Sequence, residues 1–241
     1  VPPSRPSPDV THSSVHAEGH RGATAPAAAH RGWAGLGAWA RTLPFHVPAL
    51  VPALAVLLAN STALAAAWYG LSRGAYAGSL CVALLDRSRF GAREDPAAQD
   101  VAWLRFRRRI SLVMDNDAAS FAALAWVTRG TLGGGGPAWL FPAVGVALGV
   151  VGLAVKMWAT ASLPAGAYYW RNFFVHEDRA HVSAAGPYRW LTDPMYSVGY
   201  LPLYGLALVT GSSWALGAAA VAQASMLFVV VPVERRVFAH R

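Results

Sequence analysis

The twenty-six residues from Ala138 to Leu163 contain a single charged side chain, Lys156. At about 1.5 Å of rise per residue, a helix of that length crosses a hydrocarbon core of about 30 Å with tilt to spare, and Lys156 near its end can snorkel to the interface. Such a run commits the chain to helices in a bilayer, because only helices and closed barrels satisfy their backbone polar groups there. Composition agrees. Of 241 residues 55% are hydrophobic and 13% charged, against about 25% charged in an ordinary soluble domain. The net charge is +8, and every basic residue except Lys156 is arginine. An excess of arginine suits nucleic acid or a membrane surface, and the apolar runs select the membrane, with no nucleic-acid partner expected.

Residues 1–42 are rich in Pro, Ser, Ala, Gly and His and are expected to form a disordered tail, followed by one membrane domain over 43–241. His12, His16 and His20 stand four apart, but the surrounding Pro and Gly argue against a helix, and no metal site is expected. A first span is predicted over Ala49–Leu71, with Ala75–Leu85 as an interfacial or re-entrant helix or half of a poorly split pair. An arginine-rich loop, placed within Ser72–Arg109, carries Arg87, Arg89, Arg93, Arg105 and Arg107 to Arg109 and should face the cytoplasm. Ile110–Val127 either spans with Asp115, Asn116 and Asp117 near its middle, or forms a short helix beginning after Asp117. A carboxylate in mid-bilayer costs several kcal/mol unless it faces a polar cavity. Ala138–Leu163 is the clearest span. Pro194–Gly211 and Trp214–Val233, joined by Gly211-Ser212-Ser213, form an antiparallel helical hairpin. The expected fold is an all-α, multi-pass bundle of four or five spans.

The residues suited to chemistry crowd between Tyr168 and Tyr204. Gly186-Pro187-Tyr188-Arg189, followed by Asp193-Pro194-Met195-Tyr196-Ser197-Val198-Gly199-Tyr200 and a Tyr-Gly pair at 204 and 205, resembles the integral-membrane phosphatidylethanolamine methyltransferases, those of fungi in particular. More distantly it resembles the isoprenylcysteine carboxyl methyltransferases. The resemblance runs over about Ile110 to Glu234. It implies S-adenosylmethionine as methyl donor, bound between the hairpin and the preceding loop by Gly186, Tyr188, Arg189, Pro194, Tyr196 and Glu234. The chain departs from the family at Asp193, where histidine is usual, at Thr192 for arginine, and at Glu234-Arg235 for a Glu-Glu pair. Gly149 and Gly152 stand three apart where the animal enzymes have Gly-x-Gly.

A physical reading of the same residues stands beside this. Asp193 before Pro194 predicts an N-cap with proline at the first helical position, a helix end that favours an anionic group. It is equally an ordinary capped span. Tyr196, Tyr200 and Tyr204 at i, i+4 and i+8 would share one helical stripe. With Trp170 and Tyr188 they could form an aromatic pocket for a sulfonium or ammonium ion, or an interfacial belt. Glu234 would hold ribose hydroxyls or balance the sulfonium, or would pair with Arg235 or Arg236 as a helix-end residue. An ethanolamine ammonium has a pKa near 10 and must lose a proton before attacking a methyl group. Asp115, Asp117, His181 and Glu177 are the proposed acceptors, with Tyr196 at the reacting centre and Tyr200, Tyr204 and Trp170 toward the substrate. Three functions fit these residues. The first is N-methylation of a membrane phospholipid; the second is methylation of a prenylcysteine carboxylate or a small apolar metabolite; the third is a structural or transport membrane protein. A soluble-type methyltransferase is excluded, since no strand leads into a Gly-x-Gly-x-Gly loop.

Overall fold

The computed structural model describes residues 43–86, 95–133, 135, 137–164, 166–175 and 185–239, with side chains described over 51–236 of these. The expected tail, its three histidines, Arg87, Arg89, Arg93 and the acceptors Glu177 and His181 lie outside the described residues.

Among the described residues every regular element is helical: α1 (Leu43–Ala59), α2 (Thr62–Leu85), α3 (Pro96–Val127), α4 (Leu140–Ala161), α5 (Leu201–Thr210) and α6 (Ser213–Ser225). A π-helical turn at Met226–Val230 joins α6 to α7 (Val231–Ala239). Pro232 has no N–H to offer the carbonyl four residues back and its ring crowds that carbonyl, so the helix widens ahead of it.

The run read as one span over Ala49–Leu71 is broken. Asn60 adopts φ 46°, a left-handed conformation asparagine tolerates better than most residues, and the Ser61 side chain accepts from Leu64 N at 3.4 Å to start α2. Ala75–Leu85, read as an interfacial or re-entrant helix or half of a poorly split pair, continues the same 24-residue helix, since no proline stands between and Gly74 is carried within the helix. Much of the loop expected over Ser72–Arg109 is therefore helix. Asp95 caps Ala97 N at 3.0 Å and Pro96 follows at the first helical position, so α3 runs 32 residues; the reading of a short helix beginning after Asp117 is corrected, while Asp115 to Asp117 do lie near the middle of a helical Ile110–Val127. Asp193-Pro194 does not start a helix either. Tyr196 N and Ser197 N both donate to Asp193 O, at 3.1 and 2.9 Å, and Gly199 N to Pro194 O at 2.9 Å. These turns occupy 194–200, and the next proline, Pro202, opens α5.

Among the described residues two helices, Leu140–Ala161 and Ser213–Arg236, are long and apolar enough to cross a membrane. Their outer faces present large apolar side chains, with Val150 63% and Phe228 78% exposed, a surface that suits lipid rather than water. α4 packs closely on α5 through glycines. A Cβ on Gly205 would lie 2.5 Å from Gly145 O, and one on Gly152 would meet Pro202 and Leu201. Gly145, Gly152 and Gly205 thus serve helix contact, whereas a Cβ on Gly149 would meet nothing within 4 Å.

The bundle has two distinct ends. At one, the turn after α3 is stitched to the α5–α6 connection by Gly130 N to Thr210 O (3.0 Å), Leu132 N to Gly211 O (2.7 Å) and Thr128 Oγ1 to Ser212 Oγ (2.6 Å). A core of Ala65, Tyr69, Phe121, Leu124 and Ala219 lies next to it. A second core, including Tyr76, Leu80, Phe106, Phe174 and Met226, supports the opposite end.

Candidate functional site

Glu234, in the first turn of α7, organises that opposite end. Its Oε1 accepts from Tyr196 Oη at 2.9 Å and from Trp170 Nε1. Trp170 is buried and held at φ 56°, a left-handed conformation a bulky residue adopts only when its surroundings enforce it. The enforcement is visible on both sides. Trp103 Nε1 donates to Tyr169 O at 3.1 Å, and Arg171 pairs with Asp100 at 3.0 Å. The Arg107 guanidinium lies over the rings of Trp103 (5.4 Å) and Tyr169 (5.1 Å). Phe106 packs edge-on against Trp170 at 6.2 Å.

The Gly186–Arg189 turn docks on the end of α4. Gly186 has φ 59°, and a Cβ there would collide with Ser162 Oγ. Only glycine meets both demands without strain. Pro187 is fully buried, Arg189 lies over Trp190 at 5.7 Å, and Trp190 packs on Trp158 at 5.8 Å. Burial, followed by the charges of Asp193 and Glu234, pushes the Tyr188 phenol up to about 12. Asp193 pairs with Arg235 at 2.8 Å, so its carboxylate is turned to an ion pair across the turn. Pro194 is fully buried.

A second polar centre sits deeper in the bundle. Arg73 of α2, 5% exposed, donates from Nη1 to Asp117 Oδ2 (2.8 Å), from Nε to Ser225 Oγ (3.1 Å) and from Nη2 to Tyr200 Oη (3.4 Å), and lies 4.7 Å over the Tyr76 ring. Between the two centres stand Tyr76, Tyr168, Tyr196 and Tyr200, each within electrostatic reach of at least one of the others. Burial first, then Tyr169, Tyr200 and Asp115, pushes the Tyr168 phenol up to about 12. Tyr204 turns elsewhere and donates to Gln223 Oε1 at 2.9 Å, while Gln223 Nε2 donates to the carbonyls of Tyr196 (3.2 Å) and Ser197 (3.0 Å).

This end of the bundle belongs largely to a segment with relatives. Residues 140–241 match the family model described as phospholipid methyltransferase. Over those residues the chain is similar to phospholipid methyltransferases. It is similar to the phosphatidylethanolamine N-methyltransferase of Malassezia globosa, 33% identical over 138 residues covering 55% of this chain and 14% of that protein. It is also similar to those of Pyrenophora tritici-repentis (32%, 56% of this chain, 15% of that protein) and Schizosaccharomyces japonicus (36%, 54% and 15%). The chain therefore spans about one seventh of the length of these curated relatives. No solved structure matches it significantly.

Within the matched segment, Trp170, Tyr196 and Glu234 come together in direct contact, and Tyr188 and Asp193 lie within reach of the Glu234 charge. Gly186, Arg189 and Pro194 shape the turn that carries Tyr188. Tyr196, Tyr200 and Tyr204 do not form one helical stripe. They occupy successively a turn, a 3-10 turn and α5, and their hydroxyls reach Glu234, Arg73 and Gln223 respectively. Asp115 and Asp117, two apart on α3, face different partners: Asp115 is within reach of Tyr168, and Asp117 is bound to Arg73. His181 lies outside the described residues. Sequence reasoning missed Arg73, Gln223 and Trp103. Arg73 had a usable signal, since it is the one charged residue in the 24 residues of α2, and an ionisable group inside an apolar helix is a site hypothesis by default.

Proposed function

We propose that the chain is an S-adenosylmethionine-dependent membrane methyltransferase that methylates the amine of phosphatidylethanolamine or a related phospholipid. The observation that carries this reading is the Glu234 carboxylate, held by Trp170 and Tyr196 within the segment that matches the family. A partly buried anion among aromatic faces fits the donor set a sulfonium and ribose hydroxyls require. When bound, S-adenosylmethionine supplies a methyl group already activated for in-line displacement, so positioning provides most of the rate.

In this reading Glu234, Tyr196 and Tyr188 hold the donor, with Gly186, Arg189 and Pro194 shaping the turn around it. Trp170, Tyr200 and Tyr204 line the way to the acceptor lipid. A carboxylate takes the proton that the ammonium loses before its nitrogen can attack; Asp115 and Asp117 stand on the far side of the tyrosine cluster, and His181 is a further acceptor from the adjoining loop. The domain comprises residues 43–241, crosses the bilayer several times with α5 to α7 as its C-terminal hairpin, and keeps the Glu234 end on the cytoplasmic side. The apolar runs predict four or five crossings, and the break at Asn60, which separates α1 from α2, adds one crossing to that count.

Incubating the purified chain with radiolabelled S-adenosylmethionine and a total lipid extract tests the reading. Label is expected in methylated ethanolamine phospholipids. Label confined to prenylcysteine carboxylates, or no labelled lipid together with no donor binding, overturns it.

A further inference from the structure

Arg73 and Asp117 stand on α2 and α3, ahead of the residues 140–241 that match the family model. They nonetheless reach the tyrosine cluster at the centre of the site. Their pairing is incomplete in a specific way. Asp117 Oδ2 is bound to Arg73 at 2.8 Å, while Oδ1 is closed to solvent and has no hydrogen-bond partner. Around the carboxylate stand Tyr69, Tyr76 and Tyr200, all within electrostatic reach of it. Tyr69 is already committed, donating to Ala218 O at 2.7 Å.

A buried charge pair is a poor way to stabilise a bundle, because apolar residues of similar volume are often as good or better. An unpartnered buried carboxylate oxygen adds a further cost and calls for a reason. Arg73 is meanwhile fixed from three directions, by Asp117, Ser225 and Tyr200, and stacked on Tyr76. The result is a carboxylate held rigidly by one oxygen with the other left to accept, beside aromatic rings whose faces attract cations. A protonated primary amine supplies both what Oδ1 lacks, a charged donor, and what the rings favour, a positive charge.

We propose that Asp117 Oδ1 and the Tyr76 and Tyr200 rings form the recognition site for the acceptor's primary ammonium, with Arg73 as the positioning residue that fixes the carboxylate. This rests on the methyltransferase reading and deepens it. It assigns acceptor recognition to α2 and α3 and leaves the methyl donor to the Glu234 end.

The test is the double variant Arg73→Met/Asp117→Leu, which removes both charges together and leaves no stranded partner, compared with Asp117→Asn and Arg73→Lys. Folding is followed by thermal unfolding in detergent, donor binding by titration with S-adenosylmethionine, and acceptor use by turnover against phosphatidylethanolamine in mixed micelles. The double variant is expected to fold and to bind donor within about twofold of the parent, while its apparent KM for the lipid rises about 10- to 100-fold, the loss of one charged hydrogen bond. Asp117→Asn is expected to shift the same constant in the same direction, and Arg73→Lys to restore part of it. Should the double variant unfold, Asp117→Asn carries the comparison with donor binding as its folding control. Lipid kinetics unchanged in a folded, donor-binding Asp117→Asn or double variant would overturn the proposal and leave a structural pair hydrated by water. A parent chain that binds no donor and labels no lipid would instead overturn the methyltransferase reading, and this inference with it.

Discussion

In the proposed site the Glu234 carboxylate accepts from two donors, Trp170 and Tyr196, whose roles can be separated. Glu234→Gln keeps the shape but removes the charge to which Trp170 and Tyr196 donate. Donor affinity is expected to fall by about 1.5–3 kcal/mol, as for a charged hydrogen bond. Tyr196→Phe keeps the ring and deletes one of the two bonds. A loss of turnover larger than the loss of donor affinity is expected there, and calorimetric titration with S-adenosylmethionine beside steady-state assays separates the two. Tyr188 allows a pH test of the same neighbourhood. Burial, then the charges of Asp193 and Glu234, raise its phenol to about 12 in the folded protein, against about 10 when unfolded. The unfolded chain therefore releases this proton first as pH rises, so the associated stability is whole below pH 10 and is lost between about pH 10 and pH 12. Melting temperature in that window is expected to fall less steeply for Tyr188→Phe than for the parent.

Among the helices, what could be read from sequence was what depends on apolar length alone. α4 stands within two residues of its expected ends because a run without breakers and long enough to cross lipid has few alternatives. The shorter runs depended on local backbone chemistry that hydropathy does not record. Asn60-Ser61 turns the chain inside an apolar stretch, and Asp95-Pro96 starts α3 well before its apolar part begins. Asp193-Pro194 carries the same dipeptide signal as Asp95-Pro96 but forms a turn, with Asp193 drawn off by Arg235 and Pro194 buried. At the candidate site, Trp170, Tyr196 and Glu234 are singled out in the sequence by residue type and by the resemblance, and the structure brings the three side chains into contact. Arg73 was not legible, because a lone arginine beside a glycine reads as the flank of a span until its partner, 44 positions away on α3, is known. The α4–α5 contact offers a test at this scale. At Gly205 an added methyl would meet backbone, Gly145 O at 2.5 Å and Gly149 N at 2.9 Å, with no flexible side chain to yield. Gly205→Ala is expected to destabilise the bundle by about 1–3 kcal/mol through overpacking, measured by thermal unfolding in detergent.

Across the whole molecule, charge separates the two ends of the bundle. Among the described residues, Arg105, Arg107, Arg108 and Arg109 of α3 lie toward the end that holds the site, as do Arg171, Arg189, Arg235 and Arg236. The stitched end, where the turn after α3 meets Gly211 and Ser212, carries Arg129 alone. Arginine near the ends of spans is retained on the cytoplasmic side, so this asymmetry predicts that the end holding the proposed site faces the cytoplasm. With Cys81 replaced by alanine, single cysteines at the exposed positions Thr131 and Ser213 are expected to react with an impermeant maleimide added outside intact cells. Cysteines at Ala185 and Arg236, exposed at the opposite end, are expected to react only after permeabilisation. Reaction at the second pair from outside would reverse the orientation and remove the site from the cytoplasmic donor pool. Reaction of all four from one side would mean that the helices between them do not cross the bilayer, and the lipid-facing surfaces of α4 and α6 would then need another partner.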